Sequence, residues 1–138
     1  MARITHVLDT SALLAHAFKE PGWERVKEIL QDESAVLGLS AAVLFELHLR
    51  LHERGVLIQH PDAVAEYQSL FDVPIPVDNS VAKLAFELKR DTPERLPAID
   101  ALIAACARAH DAILVHRDPH LSAIPASLLR QELLQSKS

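Results

Sequence analysis

Four carboxylates stand at positions where a carboxylate is costly. Asp9 directly follows the apolar run Ile4-Thr5-His6-Val7-Leu8, and Asp118 closely follows Ala112-Ile113-Leu114-Val115. Glu46 lies inside Ala41-Ala42-Val43-Leu44-Phe45-Glu46-Leu47, and Asp100 opens Asp100-Ala101-Leu102-Ile103-Ala104-Ala105-Cys106. Each has an ordinary explanation on its own: a helix cap, a charge complementing a helix dipole, a turn residue. As a set they are harder to dismiss. An unpaired charge among apolar residues is expensive, and no matching set of Lys or Arg accompanies them. Four carboxylates brought together raise one another's pKa unless a cation keeps them ionised. Magnesium or manganese favours such hard oxygen ligands and, so held, activates water against a phosphodiester.

The elements that would position these acids follow from hydrophobic periodicity. Short Val/Ile-rich runs alternate with Ala/Leu-rich stretches at helical spacing. Strands are expected at residues 4–8, 35–39 and 112–115, with an extended segment at 73–77. Pro74 and Pro76 confine that segment to a sheet edge. Helices are expected at 12–18, capped by Ser11 or Thr10, and at 23–30 after the Pro21-Gly22 break. Further helices should run from Ser40 to about Glu53, from Pro61 to about Phe71, from Asp78 or Asn79 to about Arg90, and over 99–110. Strand–helix alternation with connections of this length predicts a mainly parallel sheet covered by helices, an α/β fold. Ligands of such sheets bind beyond the carboxyl ends of the strands, where Asp9 and Asp118 fall.

Composition bounds the function. The chain has 138 residues, about one domain, so residues 1–138 are read as a single domain with one core. One cysteine, Cys106, permits no internal disulfide and is expected in the core. No leader-like N-terminus and no apolar run of about 18 residues is visible, which predicts a cytoplasmic protein without a membrane partner. Fourteen Lys and Arg against nineteen Asp and Glu leave a net charge of −5, unusual for a nucleic-acid binder unless bound cations neutralise part of it.

Asp9-Thr10-Ser11-Ala12-Leu13-Leu14, then Glu20-Pro21, then residues 40–47 with Glu46, then Asp100-Ala101-Leu102-Ile103-Ala104-Ala105, then Leu114-Val115-His116-Arg117-Asp118 form an ordered series. In this order the chain resembles the PIN domain, specifically VapC-like toxins, over essentially its whole length. The resemblance implies a three-layer α/β/α sandwich and a magnesium-dependent (or manganese-dependent) endoribonuclease that acts as the toxin of a toxin–antitoxin pair. It also implies an RNA substrate, a cognate VapB-like antitoxin and a homodimer. Asp9, Glu46, Asp100 and Asp118 match the family's catalytic and metal-binding acids, and Ser11 matches the hydroxyl that supports them. Two positions depart: His116 stands where the family often has Thr or Ser, and Leu121 replaces the usual aromatic after the last acid. The His116 imidazole is expected to support the site by donating a hydrogen bond to a ligand carboxylate or a phosphate. The competing reading is a non-catalytic PIN-like module whose acidic pocket only receives a partner.

Other chemistries are set aside. His48 and His52 have zinc-like spacing but lack the Glu of a zincin motif, and read as a solvated face. No Gly-rich phosphate loop exists, and Ser11 occupies the place of an aspartyl phosphatase's second Asp. One Trp, one Tyr and four Phe give little aromatic surface for reading bases. Of the basic residues Arg50, Arg54, Arg108 and Arg117, some are expected to flank the acidic pocket and the others to be solvated.

Overall fold

A computed structural model describes residues 3–135. Five strands form one entirely parallel sheet: β1 (His6–Leu8), β2 (Leu37–Ser40), β3 (Val73–Ile75), β4 (Ile113–His116) and β5 (Gln131–Leu133). Their order is β3-β2-β1-β4-β5, so the chain builds outward from β1 on one side and then crosses to the other. The carboxyl ends of β1 and β4 therefore flank the switch in direction, the place where such sheets open a ligand crevice. Consecutive residues of β2 are all buried; since neighbours on a strand point to opposite faces, the sheet is covered on both sides.

The cover comes from α1 (Thr10–Phe18), α2 (Trp23–Gln31), α3 (Ala41–Glu53), α4 (Val56–Gln59), α5 (Ala63–Gln68), α6 (Asn79–Asp91), α7 (Ala98–Ala109) and the single turn α8 (Pro119–Ser122). Helix α7 is the most deeply set; Ala101, Ile103, Ala104, Ala105, Cys106 and Ala107 are all at most 1% exposed. Small residues let it approach the sheet closely, and the Cys106 thiol is one of these core groups. Among the described residues no helix is long and apolar enough to cross a membrane.

The fold departs from the pattern expected of the sequence at several elements. The sheet is wholly rather than mainly parallel, and β3 does lie at an edge, with Pro74 opposite Leu39. The helix expected from Pro61 to Phe71 is shorter; α5 starts after Asp62, and the separate turn α4 precedes it. Helix α1 begins at Thr10 with Asp9 as its N-cap, so Ser11 lies inside the helix instead of capping it. Strand β5 has only three residues and no apolar alternation, and periodicity did not reveal it.

Gly38, in the middle of β2, is closely packed: a Cβ there would fall 2.6 Å from Ile75 Cδ1 and 3.1 Å from Ile4 Cγ2, so these buried side chains would have to shift. Gly38→Val should therefore destabilise the protein by about 1–3 kcal/mol, the usual scale of overpacking. Denaturant unfolding checks this; an unchanged midpoint would show that the sheet tolerates a bulkier β2.

Candidate metal centre

Asp9 leaves β1 in extended conformation (φ −70°, ψ 160°) and caps α1. One carboxylate oxygen, Oδ2, accepts from the Ser11 backbone N–H at 3.0 Å and from the Ser11 hydroxyl at 2.6 Å. The other, Oδ1, is buried without a hydrogen-bond partner, although the residue is only 2% exposed. The Ser11 hydroxyl in turn accepts the Arg117 backbone N–H at 2.9 Å, tying the end of β1 to the loop after β4. Thr10 is buried beside it, and its hydroxyl also lacks a partner.

The remaining acids arrive from three directions. Ser40, at the end of β2, accepts the Ala42 N–H at 3.1 Å and starts α3, which carries Glu46. Glu46 is held loosely by Arg50, one turn on, at 3.7 Å; Arg50 itself bonds Glu53 at 2.8 Å. Asp100 sits in the first turn of α7 and is 8% exposed. One oxygen from each of Asp9, Glu46 and Asp100 lies within 4.8 Å of the others, close enough for one cation to bridge. Asp118 lines the same pocket of about 160 Å³, with Thr10, Ser11, Leu14 and Arg50. Its Oδ1 accepts the His120 N–H at 2.8 Å, capping α8.

The electrostatics follow from this crowding. Burial pushes Asp9 up to about 6, against the two Ser11 hydrogen bonds, and Glu46 and Asp118 push the same way. Burial is also the largest cause at Asp100, raised to about 7 with help from the charges of Asp118, Asp9 and Glu46 and opposed by Arg50. A carboxylate pair raised this far, with one buried oxygen lacking any donor, fits a site that binds a divalent cation. Asp9, Glu46 and Asp100 would hold it, with Asp118 lining the same pocket.

The structure brings Asp9, Ser11, Glu46, Asp100 and Asp118 to one pocket, and places His116 behind it. His116 is fully buried; its Nδ1 accepts the Asp118 backbone N–H at 3.1 Å and its Nε2 faces Gln131 Oε1 at 2.7 Å. Both ring nitrogens are engaged, which fixes the proton on Nε2 and directs the ring at the backbone of Asp118 instead of at a carboxylate or phosphate. Burial lowers its pKa and keeps it neutral. Gln131, on the unforeseen β5, completes this support by donating to Ile124 O at 2.9 Å. Nothing in sequence spacing marked it. Of the four arginines, Arg50 and Arg117 adjoin the site and Arg54 stands nearby, whereas Arg108 bonds Leu128 O at a separate pocket. His48 and His52 are exposed, as a solvated helix face requires.

The raised carboxyls make a signed prediction for metal-free protein. Asp100 ionises near pH 4 when unfolded and only near 7 when folded, so the folded state binds the extra proton between these values. Its contribution to stability therefore falls as pH rises from 4 to 7. Asp100→Asn should raise the melting temperature in EDTA by several degrees at pH 7.5 and by almost nothing at pH 4. A difference independent of pH would contradict the strained cluster.

The profile of the PIN domain family matches residues 6–126. By fold, the chain is similar to VapBC2 of Rickettsia felis, solved on a fragment of promoter DNA (TM-score 0.76, 20% identity, covering 96% of this chain and 100% of that one). It is similar to DNA-bound VapBC of Salmonella typhimurium (0.76, 18%, 94% and 97%). A third similar structure is Mycobacterium tuberculosis VapC20, a toxin that cleaves the sarcin–ricin loop (0.69, 21%, 86% and 94%). No curated protein matches the chain by sequence. With the family profile spanning both the β1 and β4 ends of the acidic pocket, the chain belongs to the PIN domain family.

Proposed function

We propose that the protein is a metal-dependent endoribonuclease, the toxin of a toxin–antitoxin pair, which hydrolyses RNA phosphodiesters at Asp9, Glu46, Asp100 and Asp118. One observation carries this reading: the buried, donor-less oxygen of Asp9 beside a cluster of carboxylates from three other elements. Such a cluster is unfavourable by itself and becomes favourable around a divalent cation. Magnesium or manganese, when bound, supplies Lewis-acid activation of water and of the phosphate.

The chain's own residues would set up that chemistry. Ser11 holds Asp9 in one rotamer through two hydrogen bonds, so one oxygen stays directed into the pocket. His116 fixes the backbone of Asp118, and the Arg117–Glu20 ion pair at 2.6 Å secures the same loop against the turn after α1. Arg50, at the rim, offers a cation to a phosphate approaching the carboxylates.

Partner proteins are proposed on the same footing. The similar VapBC structures pair a toxin with an antitoxin, which supports a VapB-like antitoxin here. A cleft of about 170 Å³ lined by Phe18, Leu51, Val56 and Tyr67 between the early helices supports a helix-in-groove contact. Phe45 and Leu49, one turn apart on α3 and 58% and 37% exposed, support a homodimer. Such a toxin would work in the cytoplasm.

The test is cleavage of a mixed structured RNA by purified, antitoxin-free protein. Cutting should require magnesium or manganese, stop with EDTA and be abolished in a folded Asp9→Asn variant. Ser11→Ala should lose roughly 10–100-fold in metal affinity or activity, the usual effect of removing a group that orients a ligand. Undiminished cutting by Asp9→Asn would overturn the mechanism. Partner binding without any turnover would favour the non-catalytic module.

A further inference from the structure

A cavity of about 530 Å³ adjoins the acidic pocket and shares Ser11 and Leu14 with it. Its size is that of a small-ligand site, and its lining mixes apolar side chains, Leu14, Pro119 and Leu133, with Arg54 and Arg117. The two arginines differ in state. Arg117 is 9% exposed and committed, donating to Glu20 Oε1 at 2.6 Å and to Pro21 O at 3.1 Å, so it forms a fixed wall. Arg54, just past the end of α3, rests its guanidinium over the Phe18 ring at 4.5 Å. That contact holds the cation against the ring while Arg54 lines the cavity.

Bases of single-stranded RNA are bound by stacking on aromatic rings or on guanidinium planes, with apolar side chains around them. Ser11 and Leu14 line both spaces, so a strand whose phosphate reached the four carboxylates would have the cavity open beside it. We infer that the cavity is a nucleotide subsite: it takes the base of a nucleotide flanking the scissile phosphate of single-stranded RNA, stacked on Arg54. This rests on the nuclease reading and adds to it a place and a residue for substrate selection. Arg54 supplies, with Phe18 behind it, the flat surface that a chain poor in aromatics otherwise lacks.

A cycle between protein and substrate tests the subsite. The probe is a short oligoribonucleotide that the wild type cuts at a single position, chosen from the products of a mixed RNA pool. Abasic residues are placed in turn at the two positions on either side of the cut. For wild type, one of these should lower kcat/KM roughly tenfold, the scale of losing one base stack. In Arg54→Ala the same abasic substitution should cost almost nothing, and Arg54→Lys, which keeps the charge but not the plane, should behave like Arg54→Ala. Ser122→Trp, which fills the cavity from the exposed turn α8, should likewise make the enzyme indifferent to the missing base. If wild type and all three variants respond alike at every position, the subsite is overturned while the nuclease stands, and the cavity is left to a protein partner. If the wild type cuts no RNA with any metal, the nuclease reading and the subsite fail together.

Discussion

The structure depends on a carboxylate held out of water at the end of a buried strand. Asp9 is pinned by one oxygen to Ser11, and its other oxygen meets no donor. Burial alone raises its pKa, and the neighbouring acids raise it further. A fold does not keep such a group for stability, since an amide of the same shape would cost less. The strain makes sense as preparation for a cation, which in the proposed nuclease would let a chain with a net charge of −5 accept a polyanion.

Everything that converges on this point does so by topology. The switch in strand order puts the ends of β1 and β4 side by side, so Asp9 and Asp118 meet from opposite ends of the sequence. Helices α3 and α7 bring Glu46 and Asp100 near their N-terminal halves, where the chain has just left the sheet or a loop. A few bonds then fix the loops: Ser11 to Arg117, Arg117 to Glu20, and Gln131 through His116 to Asp118. The last of these replaces the hydroxyl residue common in the family with a neutral ring working from behind. His116 thus does for the Asp118 backbone what Ser11 does for the Asp9 side chain.

Much of this was legible before the fold was known. The apolar runs located β1, β2 and β4, and the prolines placed β3 at an edge, because burial and the missing N–H leave direct marks on sequence. Glu46 and Asp100 were conspicuous because their neighbours were apolar, and Asp9 and Asp118 because they follow the ends of strands. Strand β5 was not legible: Gln131-Glu132-Leu133 carries no alternation and is held by pairing with β4, a tertiary effect. Gln131 was lost with it. The role of His116 was read as reaching toward the ligand because sequence gives a residue's position but not the direction of its ring. The split of residues 56–68 into two short helices also escaped, since Gly55 and Pro61 mark breaks without saying what forms between them.

The central claim of the proposed function is that the four carboxylates form one metal centre in which Asp9 and Asp100 are held above their usual pKa until a cation arrives. Its most direct test is calorimetric titration of the EDTA-stripped protein with manganese at pH 6.5, in two buffers of different ionisation enthalpy. The account predicts saturable binding with release of protons, chiefly from Asp100, and loss of that release in Asp100→Asn. Binding without proton release, or no binding at all to the folded protein, would contradict it.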